Sequence, residues 1–130
     1  MESQQHEGLG MSENHARAEQ HFLAALDLFA AGELQSAISE YQQAIAADAS
    51  YTDPMHGLVR IYQDLERTDD AIAMARRISD LDAEDVLAHT SLSILYQKKG
   101  MVPEAEAEAN KARILGWKLQ LRAAKRTPRD

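Results

Sequence analysis

Residues 89–112 read HTSLSILYQKKGMVPEAEAEANKA, and the same skeleton returns when the chain is slid back by 34 residues, and again by another 34. Tyr96 falls on Tyr62 and then on Leu28. Gly100 falls on Glu66 and Gly32, Ala105 on Ala71 and Ala37, and Ala112 on Ile78 and Ala44. Each copy has the length and spacing of two short amphipathic helices joined by a turn. Such a unit cannot bury its apolar face alone, so a fixed period of this size constrains the chain to a helical solenoid whose copies cover one another.

Along the chain, residues 1–12 are polar and aperiodic and are expected to be a disordered leader. With Ser12 as an N-cap, the spacing of Ala18, Phe22, Ala25, Leu26 and Phe29 predicts a helix over about 13–31, ended by Gly32. A second helix follows over about 34–47, with Ala37, Ile38, Tyr41, Ala44 and Ile45 on its apolar face. Asp53 is placed to cap a third helix that Pro54 opens, running to about 66. Gly57 inside that helix costs about 1 kcal/mol relative to Ala, which a close approach of a neighbouring helix would offset. Thr68 or Asp69 caps a fourth helix to Leu81; a fifth covers about 85–99 and ends at Gly100; a sixth opens near Pro103. Gly116 is expected to break the chain again before a seventh, terminal helix over about 117–126. That helix would lay Trp117, Leu121 and Ala124 on the last repeat and turn its cations outward.

Composition narrows the function classes. Aromatic residues are 5% of the chain and Ala is abundant, which suits close-packed helices better than a sheet. With no Cys, thiolate chemistry and thiolate metal sites are excluded. No run approaches the roughly 18 apolar residues that span a bilayer. The start of the chain does not read as a secretory signal, so a cytoplasmic location is expected. The charge is uneven. Residues 1–109 carry 20 acidic and 7 basic residues, whereas residues 110–130 carry 7 basic and one acidic. An acidic body does not suit general nucleic-acid binding, which needs a basic surface to neutralise phosphates.

Two helices per period, an inward aromatic late in the first, a glycine turn and a small residue early in the second resemble the tetratricopeptide repeat. The resemblance covers about residues 18–119, as repeats of about 18–51, 52–85 and 86–119. It implies an all-α, right-handed solenoid of three repeats within residues 13–130, with a C-terminal capping helix and about seven helices in all. Some positions depart from the pattern. The family's early Trp is His21, Met55 and His89 here, and the late aromatic of the second helix is Tyr41, Ala75 and Ala109.

The resemblance also implies a scaffold whose first helices line a groove for a peptide or helix of another protein. The family's groove offsets give Phe22, Leu26 and Phe29 (with Glu19 and Ala30), then His56, Arg60 and Gln63 (with Asp53 and Asp64), then Thr90, Ile94, Gln97 and Lys98 (with Leu87). At the five offsets where some relatives clamp a chaperone's terminal carboxylates stand Phe22, Leu26, Gly57, Leu87 and Ser91. None donates a charge-assisted hydrogen bond, so that clamp is not expected. The apolar end suits a hydrophobic or amphipathic segment. Alternatively, Phe22 and Phe29 pack against the leader or a second copy, in a self-associating scaffold. The face bearing Lys118, Arg122, Lys125 and Arg126 could instead bind an anionic surface.

No enzyme or cofactor is expected. The five His lack the i, i+4 pairing of metal ligands, His21 and His89 being read as core or groove-edge residues in the Trp position. Glu104, Glu106 and Glu108 alternate around a helix and are read as a solvated face. There is no phosphate-binding glycine loop.

Overall fold

The computed structural model describes the backbone of residues 2–126 and the side chains of residues 13–126. Six α-helices, and no strand among the described residues, follow in order: α1 (Glu2–Ala30), α2 (Leu34–Ala47), α3 (Asp53–Asp64), α4 (Thr68–Leu81), α5 (Val86–Lys98) and α6 (Val102–Arg126). The repeat is visible in the backbone itself. Helices α2 and α4 begin and end 34 residues apart, and α6 begins a further 34 residues on.

The chain forms two compact units, residues 1–65 and 66–130. In the first, α1 packs on α2 and α2 on α3; in the second, α4 packs on α5 and α5 on α6. The α1–α2 seam is built of small residues, with Ala18, Ala25, Ala37 and Ala44 fully buried. The larger anchors of the first unit are Met55, Leu58 and Ile61 of α3, all fully buried. In the second unit Ile78, Leu92 and Leu95 serve the same purpose. Each such side chain contributes about 1.5–3 kcal/mol of hydrophobic free energy.

The turn within each repeat needs a left-handed residue. Gly32 (φ +80°) and Gly100 (φ +73°) supply it, and the amide after each closes the helix end, Glu33 N–H donating to Leu28 O and Met101 N–H to Tyr96 O, both at 2.9 Å. The middle repeat uses Glu66 at φ +58°, the one described non-glycine residue with positive φ. A side chain there strains the backbone by about 1–2 kcal/mol, partly offset by the extra freedom a glycine has when unfolded. Glu66→Gly is therefore expected to stabilise the protein by about 0.5–1 kcal/mol. A urea midpoint that falls in this variant would contradict the account.

Several boundaries differ from the sequence expectations. The backbone of α1 starts at Glu2; the expected leader, residues 1–12, lies outside the residues whose side chains are described. Asp53 is inside α3 rather than at its cap, which falls on Thr52, and Arg67 rather than Thr68 or Asp69 precedes α4; neither cap is closed by a side chain. Asp85 does cap α5, accepting from the Ala88 amide at 3.0 Å. Leu81 is exposed at the end of α4.

The largest correction concerns Gly116. It interrupts nothing: α6 runs through it to Arg126, so the capping segment is the last stretch of a long helix rather than a separate one. What ends the second helix of the other repeats is an aspartate at the same offset. Asp48 and Asp82 leave the helix in nearly identical extended conformations (φ −145° and −144°). Their carboxylates accept from the Ser50 and Glu84 amides, each at 3.0 Å, closing a local turn that competes with helix. Gly116 has no such side chain, and its φ is not positive. Trp117 and Leu121, on this last stretch, are 66% and 51% exposed.

Candidate partner-binding cleft

The α1–α2–α3 packing leaves an open cleft of about 260 Å³, lined by Phe22, Leu26, Phe29, Tyr41, Asp53, His56, Gly57 and Arg60. Its floor is Tyr41, 2% exposed, whose ring lies against Gly57: a Cβ added there would sit 2.4 Å from the ring. Phe22 leans on this floor, its ring centroid 6.0 Å from that of Tyr41 and 5.7 Å from that of Tyr51. Leu26 remains 40% exposed at the mouth. On one wall the Arg60 guanidinium lies 5.9 Å from the centre of the Phe29 ring, with its Nε 3.6 Å from Asp64. At that distance the ring attracts the cation, whose side chain stays 68% exposed.

The Tyr51 side of the cleft is tied to α1 electrostatically. His15 contacts Asp48 at 2.8 Å and Glu19 at 2.9 Å, and its ring meets Tyr51 edge-on at 5.0 Å. The Asp48 hydrogen bond, helped by the Glu19 charge, raises the His15 pKa above its ordinary 6.5. Asp48 is held below its ordinary 3.8, first by the Ser50 hydroxyl and then by His15. Burial raises the Tyr41 phenol and, with the nearby Asp53 charge, that of Tyr51. The signs define a window. The raised His15 value stabilises the fold below pH 6.5, and this is lost as pH climbs through the folded pKa; the lowered Asp48 value stabilises above 3.8, and this is lost as pH falls through its own folded pKa. The pair is intact between them. An NMR titration of the His15 ring should therefore show a midpoint that drops towards 6.5 in Asp48→Asn; an unmoved midpoint would remove Asp48 as the cause.

Six of the groove residues named from sequence, Phe22, Leu26, Phe29, Asp53, His56 and Arg60, thus line one cleft. Gln63, half-buried on α3, is outside its lining. Thr90, Ile94, Gln97 and Lys98 belong to the second unit, where they are exposed on α5 beside Leu87, and the Thr90 hydroxyl donates to Val86 O of its own helix. The basic residues Lys118, Arg122, Lys125 and Arg126 are exposed on the end of α6, with Arg122 held 3.0 Å from Glu84.

One feature escaped the sequence reading. His21 pairs with Glu40, and His89 with Glu108, each at 2.6 Å, so the same histidine–carboxylate clip recurs two periods apart. In the middle repeat both positions are Met, Met55 and Met74. The signal was present as that joint exchange of both members. Glu108 is therefore not part of a solvated face: its side chain is 14% exposed and also accepts from Lys111 at 3.1 Å. A second cavity of about 450 Å³ lies beside this clip, lined by Ser79, Asp80, Ala83, His89, Lys111, Ile114 and Leu115.

The sequence profile of the tetratricopeptide repeat family matches residues 28–95. The chain belongs to that family. Among solved tetratricopeptide structures it is similar to MamA, with a TM-score of 0.77 at 27% identity over 79% of this chain. It spans 60% of the length of that MamA chain. The second tetratricopeptide domain of Spaghetti (RPAP3), bound to the HSP90 peptide SRMEEVD, aligns at TM-score 0.74 and 19% identity, covering 79% of this chain and 95% of that one. The type III secretion translocator chaperone SycD of Yersinia enterocolitica aligns at TM-score 0.70 and 21% identity, covering 75% and 73% respectively. Comparison with curated proteins gives no match. Among the described residues no helix is long and apolar enough to cross a membrane.

Proposed function

We propose that this protein is a non-catalytic interaction module that holds an apolar or amphipathic segment of another protein in the α1–α3 cleft. The observation that carries this reading is the cleft itself: Phe22, Leu26 and Phe29 stand partly exposed around an open, tyrosine-floored cavity. Aromatic side chains left accessible in a concave site gain free energy when an apolar side chain displaces water from them. The relatives bound to an HSP90 peptide support peptide capture by this fold. The chemistry here differs from a clamp for terminal carboxylates, because Phe22, Leu26 and Gly57 line the cleft where charged donors would be required. The ligand is held by shape and apolar contact, oriented by Asp53 and Arg60 at the rim.

Capture experiments on lysate from the native source, with Phe29→Glu and Arg60→Glu beside the wild type and exposed Glu106→Gln as control, test this. Phe29→Glu is expected to lower recovery of bound partners at least about tenfold, and Arg60→Glu to lower it less. Partners retained equally by both folded variants would place the binding surface elsewhere.

A further inference from the structure

The end of α6 outlasts the repeat it belongs to. Its counterparts α2 and α4 stop at Ala47 and Leu81, an offset that corresponds to Leu115, yet α6 continues for eleven more residues, from Gly116 to Arg126. That overhang is about 16 Å of helix. Trp117 and Leu121 lie on one side of it, in line with Ile114 just before it at i, i+3 and i+7 spacing, and the three are 66%, 51% and 48% exposed. Lys118, Arg122, Lys125 and Arg126 accompany them, and no acidic residue occurs between Glu108 and Arg126. The segment is a cationic helix with its largest apolar side chain facing water; Leu119, 44% exposed, lies off the Trp117–Leu121 side.

We propose that this overhang docks into the α1–α3 cleft of a second copy of the chain, linking copies head to tail. The inference rests on the cleft being a helix-binding groove, and the same chain supplies a matching occupant. Residues 13–65 carry eight carboxylates against Arg17 and Arg60. Arg60 is already engaged by Asp64 and Phe29, and Asp53 stands on the cleft wall. An apolar cleft on an acidic body therefore complements an apolar, cationic helix in both respects. An anionic bilayer would satisfy the cations too, but it would repel a body in which residues 1–109 hold 20 acidic and 7 basic residues.

End-to-end stacking of repeats is a poorer arrangement. Where α2 buries Ile38, Tyr41 and Ile45, the same offsets in α6 hold Glu106, Ala109 and Arg113, all exposed. The contact between overhang and cleft is heterologous, so it propagates into an open chain unless geometry closes it.

Trp117 is the only tryptophan, which makes it the reporter. Raising wild-type concentration from about 10 µM to about 1 mM should shift its emission to the blue and raise the mass measured by light scattering. Salt at about 500 mM should weaken both changes. Phe29→Glu and Leu121→Glu alter partly exposed positions, and each should keep its thermal melt while weakening self-association at least about tenfold. Mixed together, they should form a one-to-one heterodimer that grows no further, because the Phe29→Glu copy offers an intact overhang and the Leu121→Glu copy an intact cleft. A wild type that stays monomeric overturns the proposal. So does a mixture that fails to pair, or a blue shift that needs phosphatidylserine vesicles. If the wild type is monomeric but Phe29→Glu still loses its captured partners, the cleft reading survives and only the overhang falls; if Phe29→Glu changes neither readout, both fall.

Discussion

Gly57→Ala is expected to destabilise this protein, although alanine is the better helix former. A Cβ at that position would lie 2.4, 2.6 and 2.8 Å from Cζ, Cε1 and Oη of Tyr41. The ring cannot step aside cheaply, since Tyr41 is 2% exposed and carries Phe22 on its other contacts. Forcing an atom into such a site costs about 1–3 kcal/mol in overpacking, occasionally more, against about 1 kcal/mol gained in helix propensity. The net loss should be up to about 2 kcal/mol, seen as a lower urea midpoint with an unchanged slope. The sign is expected to reverse once the ring is removed. Tyr41→Ala alone opens a cavity at a cost of about 3–5 kcal/mol, and adding Gly57→Ala in that background should then stabilise by up to about 1 kcal/mol. The chain contains its own precedent, because one period later the same two positions are Ala75 and Ser91. There the ring is gone and the position facing it carries a Cβ. A Gly57→Ala that raises the midpoint in the Tyr41 background would refute the steric account. Because Tyr41 and Gly57 also line the cleft, the single variant should lose partner binding along with stability.

That pair marks where sequence reasoning succeeds and where it stops. The period, the helix pairs and the left-handed turns at Gly32 and Gly100 were legible because each depends on residues close in the chain. The apolar face of α2 was legible for the same reason: all five residues assigned to it, Ala37, Ile38, Tyr41, Ala44 and Ile45, are buried. Phe22, Leu26 and Phe29 could be named as groove residues through the resemblance to the family's groove offsets, but that they share a cavity with Arg60 depends on how α3 packs. Gly116 misled because glycine stops a helix only where a positive φ is called for. The stop signals at that offset, Asp48 and Asp82, were visible but not recognised as equivalent to it. Glu108 misled because helical periodicity distinguishes faces, not partners. A carboxylate at a polar position can be drawn inward when a histidine 19 residues earlier needs an acceptor.

The histidine–carboxylate clip of the third repeat should show a coupling that its copy in the first does not. Both ring nitrogens of His89 face acceptors, Nδ1 at 2.6 Å from Glu108 and Nε2 at 2.9 Å from Ala83 O, and its side chain is 7% exposed. A neutral imidazole donates one hydrogen bond, not two, so the second depends on the carboxylate sharing or supplying a proton. Glu108→Met removes that partner and leaves a buried nitrogen unsatisfied, at an expected cost of about 1–3 kcal/mol. His89→Met leaves Glu108 with Lys111 alone and should cost a similar amount. Changing both to Met installs the solution of the middle repeat, in which Met55 is fully buried and Met74 half-buried. Apolar replacement of a buried polar pair with a similar volume is often close to neutral, so the double variant should recover most of the loss, with a coupling of at least about 1 kcal/mol in the cycle. The His21–Glu40 copy, with side chains 34% and 33% exposed, should show a coupling of only about 0–1 kcal/mol. Since Glu108 is on α6 and Ala83 precedes α5, the single variants should also speed amide exchange in both segments before global unfolding. If the two single costs simply add in the double variant, the clip is two independent residues and the repeat's exchange of both positions for Met has no energetic basis.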